Sequence, residues 1–109
     1  MNTLTFAFSA LSDSTRFGIV EHLMDHGETL AGELVAGTGM TAPAISRHLK
    51  VLRDAGLVTN RAVGTKRYYS VRPDGLRAIA DWTLSRRAFW ESSLDRLEAA
   101  ISLDEEVPR

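Results

Sequence analysis

A mainly α-helical fold with one small β-hairpin is predicted for this chain of 109 residues, and three observations predict it. Apolar residues recur at intervals of three and four through most of the length, the mark of helices with one buried face. The one stretch built otherwise is TNRAVGTKRYYSV, residues 59–71, where strand-forming residues flank a glycine turn. Capping residues and glycines also fall where these apolar runs begin and end.

Leu4, Phe8 and Leu11 stand at i, i+4 and i+7, so the chain opens with a helix over about residues 4–12. Asp13 is the N-cap of a second helix, with Phe17, Val20 and Met24 on one side, Ile19 and Leu23 beside them, and Gly27 as the stop. Thr29 caps a third, short helix, LAGELVA, which Gly37 and Gly39 end. Thr41 caps the fourth. Pro43 falls in its first turn, where a missing N–H costs nothing, and Ile45, Leu49 and Leu52 form its buried stripe. After Gly56, Leu57 and Val58 start a strand that turns through Val63, Gly64 and Thr65 into a second strand containing Tyr68, Tyr69 and Val71. Alternation along that strand faces one tyrosine to the core and one to solvent. Pro73, Asp74 and Gly75 open a last helix, read as continuous from about 75 to 102. Its Trp90, Leu94, Leu97 and Ile101 repeat at intervals of 4, 3 and 4, the seam of two-helix packing. Residues 1–103 are read as one domain, with 104–109 as a frayed tail.

Composition narrows the function. The chain has no cysteine, which removes disulfides, thiolate metal sites, cysteine nucleophiles and thiol redox sensing. The opening TLTFAFSAL has no Lys or Arg before it and is spaced as a helix, so it does not fit a signal peptide, and no run is long enough to span a bilayer. The cytosol is the expected compartment. The net charge of −1 conceals a strong asymmetry. Between Thr41 and Arg77 lie Arg47, Lys50, Arg53, Arg61, Lys66, Arg67, Arg72 and Arg77 against only Asp54 and Asp74, while both flanks are acidic. One basic module in an acidic chain points first to nucleic acid.

Two helices separated by a glycine turn, the second capped and polar on its outer face, form the pattern of a helix-turn-helix, and the basic hairpin behind it makes this a winged one. The second helix fits the major groove. Its N-terminal N–H groups, starting at Thr41, favour phosphate, Arg47 is suited to bidentate donation to guanine, and Ser46 lies beside it. Ala42, Pro43 and Ala44 fill the first turn of that helix and count with His48 and Lys50 among the expected contacts, Ala42 as a packing partner for a thymine methyl. Lys66 and Arg67 beside Gly64, with Arg61, are the expected phosphate contacts of the wing.

The segments LSDSTRFGIVEHL, MTAPAISRHLKVLRDAGLV and GTKRYYSV, followed by a Trp-bearing C-terminal helix, resemble the ArsR/SmtB family of bacterial winged-helix repressors. The likeness runs from about Phe6 to Ile101. It implies a homodimer joined through the first and last helices, with Leu4, Phe8, Leu11, Trp90, Leu94, Leu97 and Ile101 at the joint. It also implies double-stranded DNA with an imperfect inverted repeat as the partner. Members that sense thiophilic metals carry a Cys-x-Cys pair where this chain has Leu30 and Gly32. Others place His and carboxylate ligands on the last helix, where this chain has Asp81, Asp95 and Glu98 but no His. Both familiar metal sites are missing, and Ala42 stands where the family often has Gln.

Other readings weigh less. A winged helix also serves as a protein-interaction module gripping an acidic partner. No metal constellation, Gly-rich phosphate loop or triad spacing supports an enzyme. His22 and His26 are an i, i+4 pair without a nearby third ligand, so a metal is not expected. Trp82, Phe89 and Trp90 fit a core or dimer contact better than a ligand pocket. No cofactor is expected, and an unidentified small-molecule effector stays open.

Overall fold

A computed structural model describes residues 3–106, with side chains as far as Leu103. In chain order the elements are α1 (Thr3–Leu11), α2 (Ser14–His26), β1 (Thr29–Leu30), α3 (Ala31–Thr38), α4 (Ala42–Asp54), β2 (Val58–Val63), β3 (Lys66–Val71), α5 (Pro73–Ser85) and α6 (Arg87–Glu106). The chain divides into two compact units, one ending at Ile79 and one beginning at Ala80.

The first unit is built around α4. Thr41 caps it by accepting the Ala44 N–H at Oγ1, and Ile45, Leu49 and Leu52 are fully buried along one side. They meet Ile19, Val20 and Leu23 of α2, Leu34 of α3, Ala7 and Ala10 of α1, and Leu57, Val58 and Tyr69 around the sheet. The turn between α3 and α4 is three residues, Gly39 to Thr41, with Gly39 left-handed at φ 69°. At the far end of α4 Gly56 has φ 77°, its N–H donates to the Arg53 carbonyl and the Leu57 N–H to the Leu52 carbonyl. That pair of bonds is the Schellman motif, which ends the helix and turns the chain into β2.

Several expectations meet their counterparts. Asp13 caps α2 through the Arg16 N–H, and Gly27 stops it. The hairpin closes on Gly64 and Thr65 between the paired Val63 and Lys66, and only Gly64 has positive φ, the pattern of a II′ turn. Tyr69 faces the core and Tyr68 is only half-buried.

Three expectations are corrected. Thr29 does not cap α3, because Thr29 and Leu30 form β1, which pairs antiparallel with Tyr69 and Tyr68 of β3 and makes a three-stranded sheet in the order β1-β3-β2. Its hydroxyl donates instead to the Gly27 carbonyl, and the cap position falls to Leu30 without a side-chain bond. On α2 the buried side is Ile19, Val20 and Leu23, while Phe17 and Met24 are exposed. The last helix is not continuous from 75 to 102. It is α5 and α6, parted at Arg86, where the chain tightens to an Arg86 N–H to Thr83 carbonyl bond and Ser85 Oγ donates to the Trp82 carbonyl at 2.7 Å. A serine that bonds back to its own helix competes with the backbone ladder.

In the second unit α6 exposes Trp90, Leu94, Leu97 and Ile101, 48%, 63%, 58% and 52% accessible respectively. α6 itself continues through Glu106, and the remainder of the tail expected to fray, residues 107–109, lies outside the described residues. Among the described residues no helix is long and apolar enough to cross a membrane.

One contact constrains the start of α5. A Cβ at Gly75 would lie 2.1 Å from the Gly56 carbonyl oxygen, so the first turn of α5 rests directly on the Schellman turn of α4. Gly75→Ala must push these backbones apart and should cost about 1–3 kcal/mol in urea unfolding. Gly18→Ala, whose Cβ meets nothing within 4 Å in mid-helix, should instead stabilise by up to about 1 kcal/mol.

Candidate nucleic-acid interface

Because Ile45, Leu49 and Leu52 are committed to the core, α4 can turn only its other side outward. Thr41, Ala42, Pro43, Ser46, Arg47 and Lys50 are exposed on it, and Ala44 is half-buried. Arg47 has no ion-pair partner among the described residues. Lys50 donates to Asp54 Oδ2 at 2.8 Å, which holds the Asp54 carboxyl below its ordinary value. Lys50 is therefore partly neutralised within its own helix.

His48 is turned inward, its side chain 19% accessible. Its Nδ1 lies 3.3 Å from Arg16 Nη1 and 3.9 Å from Asp13 Oδ1. A guanidinium has no acceptor, so Nδ1 receives the bond and Nε2 carries the ring proton. Arg16 also donates through Nε to the Ala10 carbonyl at 2.8 Å. The Asp13 carboxyl is held below its ordinary value chiefly by the Arg16 backbone N–H, with the Arg16 guanidinium adding to the effect. The end of α1, the start of α2 and the middle of α4 are thus tied at one point, and neither Asp13 nor Arg16 was singled out by the sequence for that role.

In the hairpin, Lys66 is exposed at the tip and has no ion-pair partner among the described residues. Arg67 Nη1 donates to Asn60 Oδ1 at 3.4 Å, a long bond to a neutral group. Arg61 differs from both. Its Nε and Nη2 donate to the two carboxylate oxygens of Glu28 at 2.8 and 2.7 Å, and its guanidinium lies 5.0 Å from the centre of the Tyr68 ring. Glu28 is drawn below its ordinary value by these bonds, and Arg61 is raised. Glu28 stands 33 positions away from Arg61, and no periodicity or spacing in the sequence foretells that pair.

An open hollow of about 560 Å³ lies between the start of α3 and the hairpin, lined by Leu30, Ala31, Gly32, Glu33, Thr65, Lys66 and Arg67. Leu30 and Gly32, the positions of the metal-sensing cysteines in the resemblance, fall in its wall. Among the described residues no three His, Cys, Asp or Glu side chains gather as metal ligands. His22 and His26 stack at 4.3 Å, and His26 Nδ1 lies 3.1 Å from the His22 carbonyl oxygen.

The structure therefore brings Thr41, Ala42, Pro43, Ala44, Ser46, Arg47 and Lys50 onto one helix in the same unit as Lys66 and Arg67, while His48 and Arg61 are each engaged internally. A family model described as bacterial regulatory protein, arsR family, matches residues 13–60. The chain is 46% identical over 88 residues to the HTH-type transcriptional regulator Rv2034 of Mycobacterium tuberculosis, covering 81% of this chain and 78% of that protein. The chain belongs to the ArsR family.

Solved structures agree. A crystal structure of an ArsR family transcriptional regulator superposes with a TM-score of 0.75 at 26% identity, over 83% of this chain and 98% of that one. The solution structure of a homodimeric winged helix-turn-helix DNA-binding domain from Mycobacterium bovis gives 0.64 at 27% identity, over 83% of each chain. This ArsR-family protein is a transcriptional regulator with the winged helix-turn-helix DNA-binding fold and not an enzyme.

The Glu28–Arg61 pair sets a pH dependence. A carboxyl held below its ordinary value of 4.5 contributes stability above that value and loses it as the pH falls through the lower, native value. Wild type should therefore melt above Glu28→Gln at neutral pH, and the gap between their midpoints should close as the pH is taken below 4.5.

Proposed function

We propose that this regulator is a homodimeric repressor that acts on an imperfect inverted repeat in promoter DNA. Each protomer lays α4 in a major groove and sets the wing against the adjoining backbone. The observation that carries this reading is the two-sidedness of α4: a capped helix with a fully buried stripe presents Thr41, Ala42, Pro43, Ser46 and Arg47 together, with an arginine that pairs with no acid among the described residues. At the start of the helix the N–H groups of Thr41 and Ala42 meet phosphate, Pro43 having none and Ala44 donating its own to Thr41 Oγ1, and Ser46 and Arg47 read base edges. Lys66 and Arg67 reach phosphate from the wing. Such a regulator works beside the chromosome in the cytoplasm. With no cysteine in the chain, the signal that releases it is not read through thiolates.

The dimer is supported by α6, whose Trp90, Leu94, Leu97 and Ile101 form an exposed apolar row of the kind that a second helix covers. Leu4, Phe8 and Leu11 of α1 join that interface. In α1 the fully buried side is Ala7 and Ala10, while Leu4 and Leu11 are half-buried and Phe8 is exposed.

Binding to a duplex of the DNA upstream of its own gene tests the reading, with a scrambled duplex as control. Arg47→Ala should lose about 1–3 kcal/mol of discrimination between the two duplexes, whereas Lys66→Ala should weaken both about equally. Equal binding of the two duplexes by wild type would refute sequence-specific recognition. Replacing Leu94 and Leu97 with Asp should halve the mass in sedimentation equilibrium and weaken operator binding, since one protomer then holds only one half-site.

A further inference from the structure

Eight basic residues crowd the segment from Thr41 to Arg77, and charge alone would put Arg61 among those that meet DNA. The geometry of the sheet gives it another use. β3 lies between β1 and β2, and Arg61 is the register partner of Tyr68, which in turn pairs with Leu30. Glu28, just before β1, reaches past β3 to accept from Nε and Nη2 of Arg61 at 2.8 and 2.7 Å, while the Tyr68 ring lies against the guanidinium. A bidentate carboxylate is the same fork that a phosphate offers, so while this bond holds, the Nε–Nη2 edge of Arg61 cannot make a forked bond to phosphate, and its charge is already matched. Among the described residues Lys66 has no such partner, and Arg67 has only the long bond to Asn60.

We infer that Arg61 is withheld from DNA: Glu28 and Arg61 are positioning residues that clasp the wing across the three-stranded sheet, and the phosphate contacts of the wing are left to Lys66 and Arg67. The clasp ties the outer strand of the hairpin to the segment that leads into the helix-turn-helix. It fixes the pitch at which the tip leaves the sheet, and it neutralises a cation that would otherwise add affinity for any sequence. The inference rests on the reading that the wing faces DNA.

Fluorescence anisotropy with a mixed-sequence DNA duplex, measured over a fourfold rise in potassium chloride, separates the roles. Each lost phosphate contact flattens the salt dependence by about 0.9 in slope, which is about 3.5-fold in affinity over that range. Lys66→Ala should show this flattening, whereas Arg61→Ala should keep the wild-type slope and lose affinity by a constant factor. Arg61→Glu should weaken binding, and adding Glu28→Arg to it should restore affinity to within about twofold of wild type, because the clasp is rebuilt with its charges exchanged. Both side chains are exposed, and thermal melting of each variant checks that the fold is kept. If Arg61→Ala flattens the salt dependence as much as Lys66→Ala does, or the exchanged pair stays as weak as Arg61→Glu, Arg61 is a phosphate ligand and the inference is overturned. If neither Lys66→Ala nor Arg67→Ala changes the slope, the wing does not face phosphate, and the wing assignment falls together with the clasp.

Discussion

The rest of the molecule depends on the burial of one helical stripe. Ile45, Leu49 and Leu52 meet the inner faces of α1, α2, α3 and the sheet, and burying side chains of this size is worth about 1.5–3 kcal/mol each. Successive residues on a helix are set about 100° apart, so rotating α4 by a single residue would bring Ser46, Lys50 and Arg53 toward the core and turn Ile45 and Leu52 out of it. The outward presentation of Ser46 and Arg47 is therefore a consequence of packing. Thr41 at one end and the Gly56 turn at the other fix where the helix starts and stops, which sets its height as the stripe sets its rotation.

Legibility in the sequence follows the range of the interaction. Thr41, Pro43, Gly39 and the α4 stripe act within a turn or two of themselves, as do Asp13 and Gly27, and their pattern is enough to place α2, α4 and the turn before α4. The short strand at Thr29 was not legible, because a threonine before an apolar run satisfies the pattern of a helix cap and the residue that makes it a strand is Tyr69, far along the chain. The parting of α5 from α6 lacks the usual proline or glycine at the break. It falls where Ser85 bonds the Trp82 carbonyl, and a serine at that position looks the same in sequence whether it does so or not. Gly75 read as part of a helix opening, and its need for the absence of a side chain comes from Gly56 in another element.

That the basic residues of the candidate site lie on α4 and the hairpin was legible in the sequence, and how each of them is paired was not. Counting charges treats the eight cations of the basic segment alike. In the fold Lys50 is taken by Asp54, Arg72 by Asp74 and Arg61 by Glu28, whereas Arg47, Arg53, Lys66, Arg67 and Arg77 pair with no acid among the described residues. The two i, i+4 and i, i+2 pairs lie within reach of local reasoning. The third recruits Glu28 from the acidic flank, so that flank is a source of counter-charge as well as a scaffold. His48 is a similar case: its neighbours in sequence are Arg47 and Leu49, but its chemistry is set by Arg16 and Asp13.

The hairpin that closes on Gly64 and Thr65 has six residues in each strand, paired without a bulge from Val58 and Val71 to Val63 and Lys66. At about 3.4 Å per residue such a ribbon is about 20 Å long, the length of about six base pairs at 3.4 Å along a strand. The wing is in that sense a ruler of fixed graduation. The tightest turn available caps it, so it cannot lengthen by slipping register without turning Tyr69 out of the core.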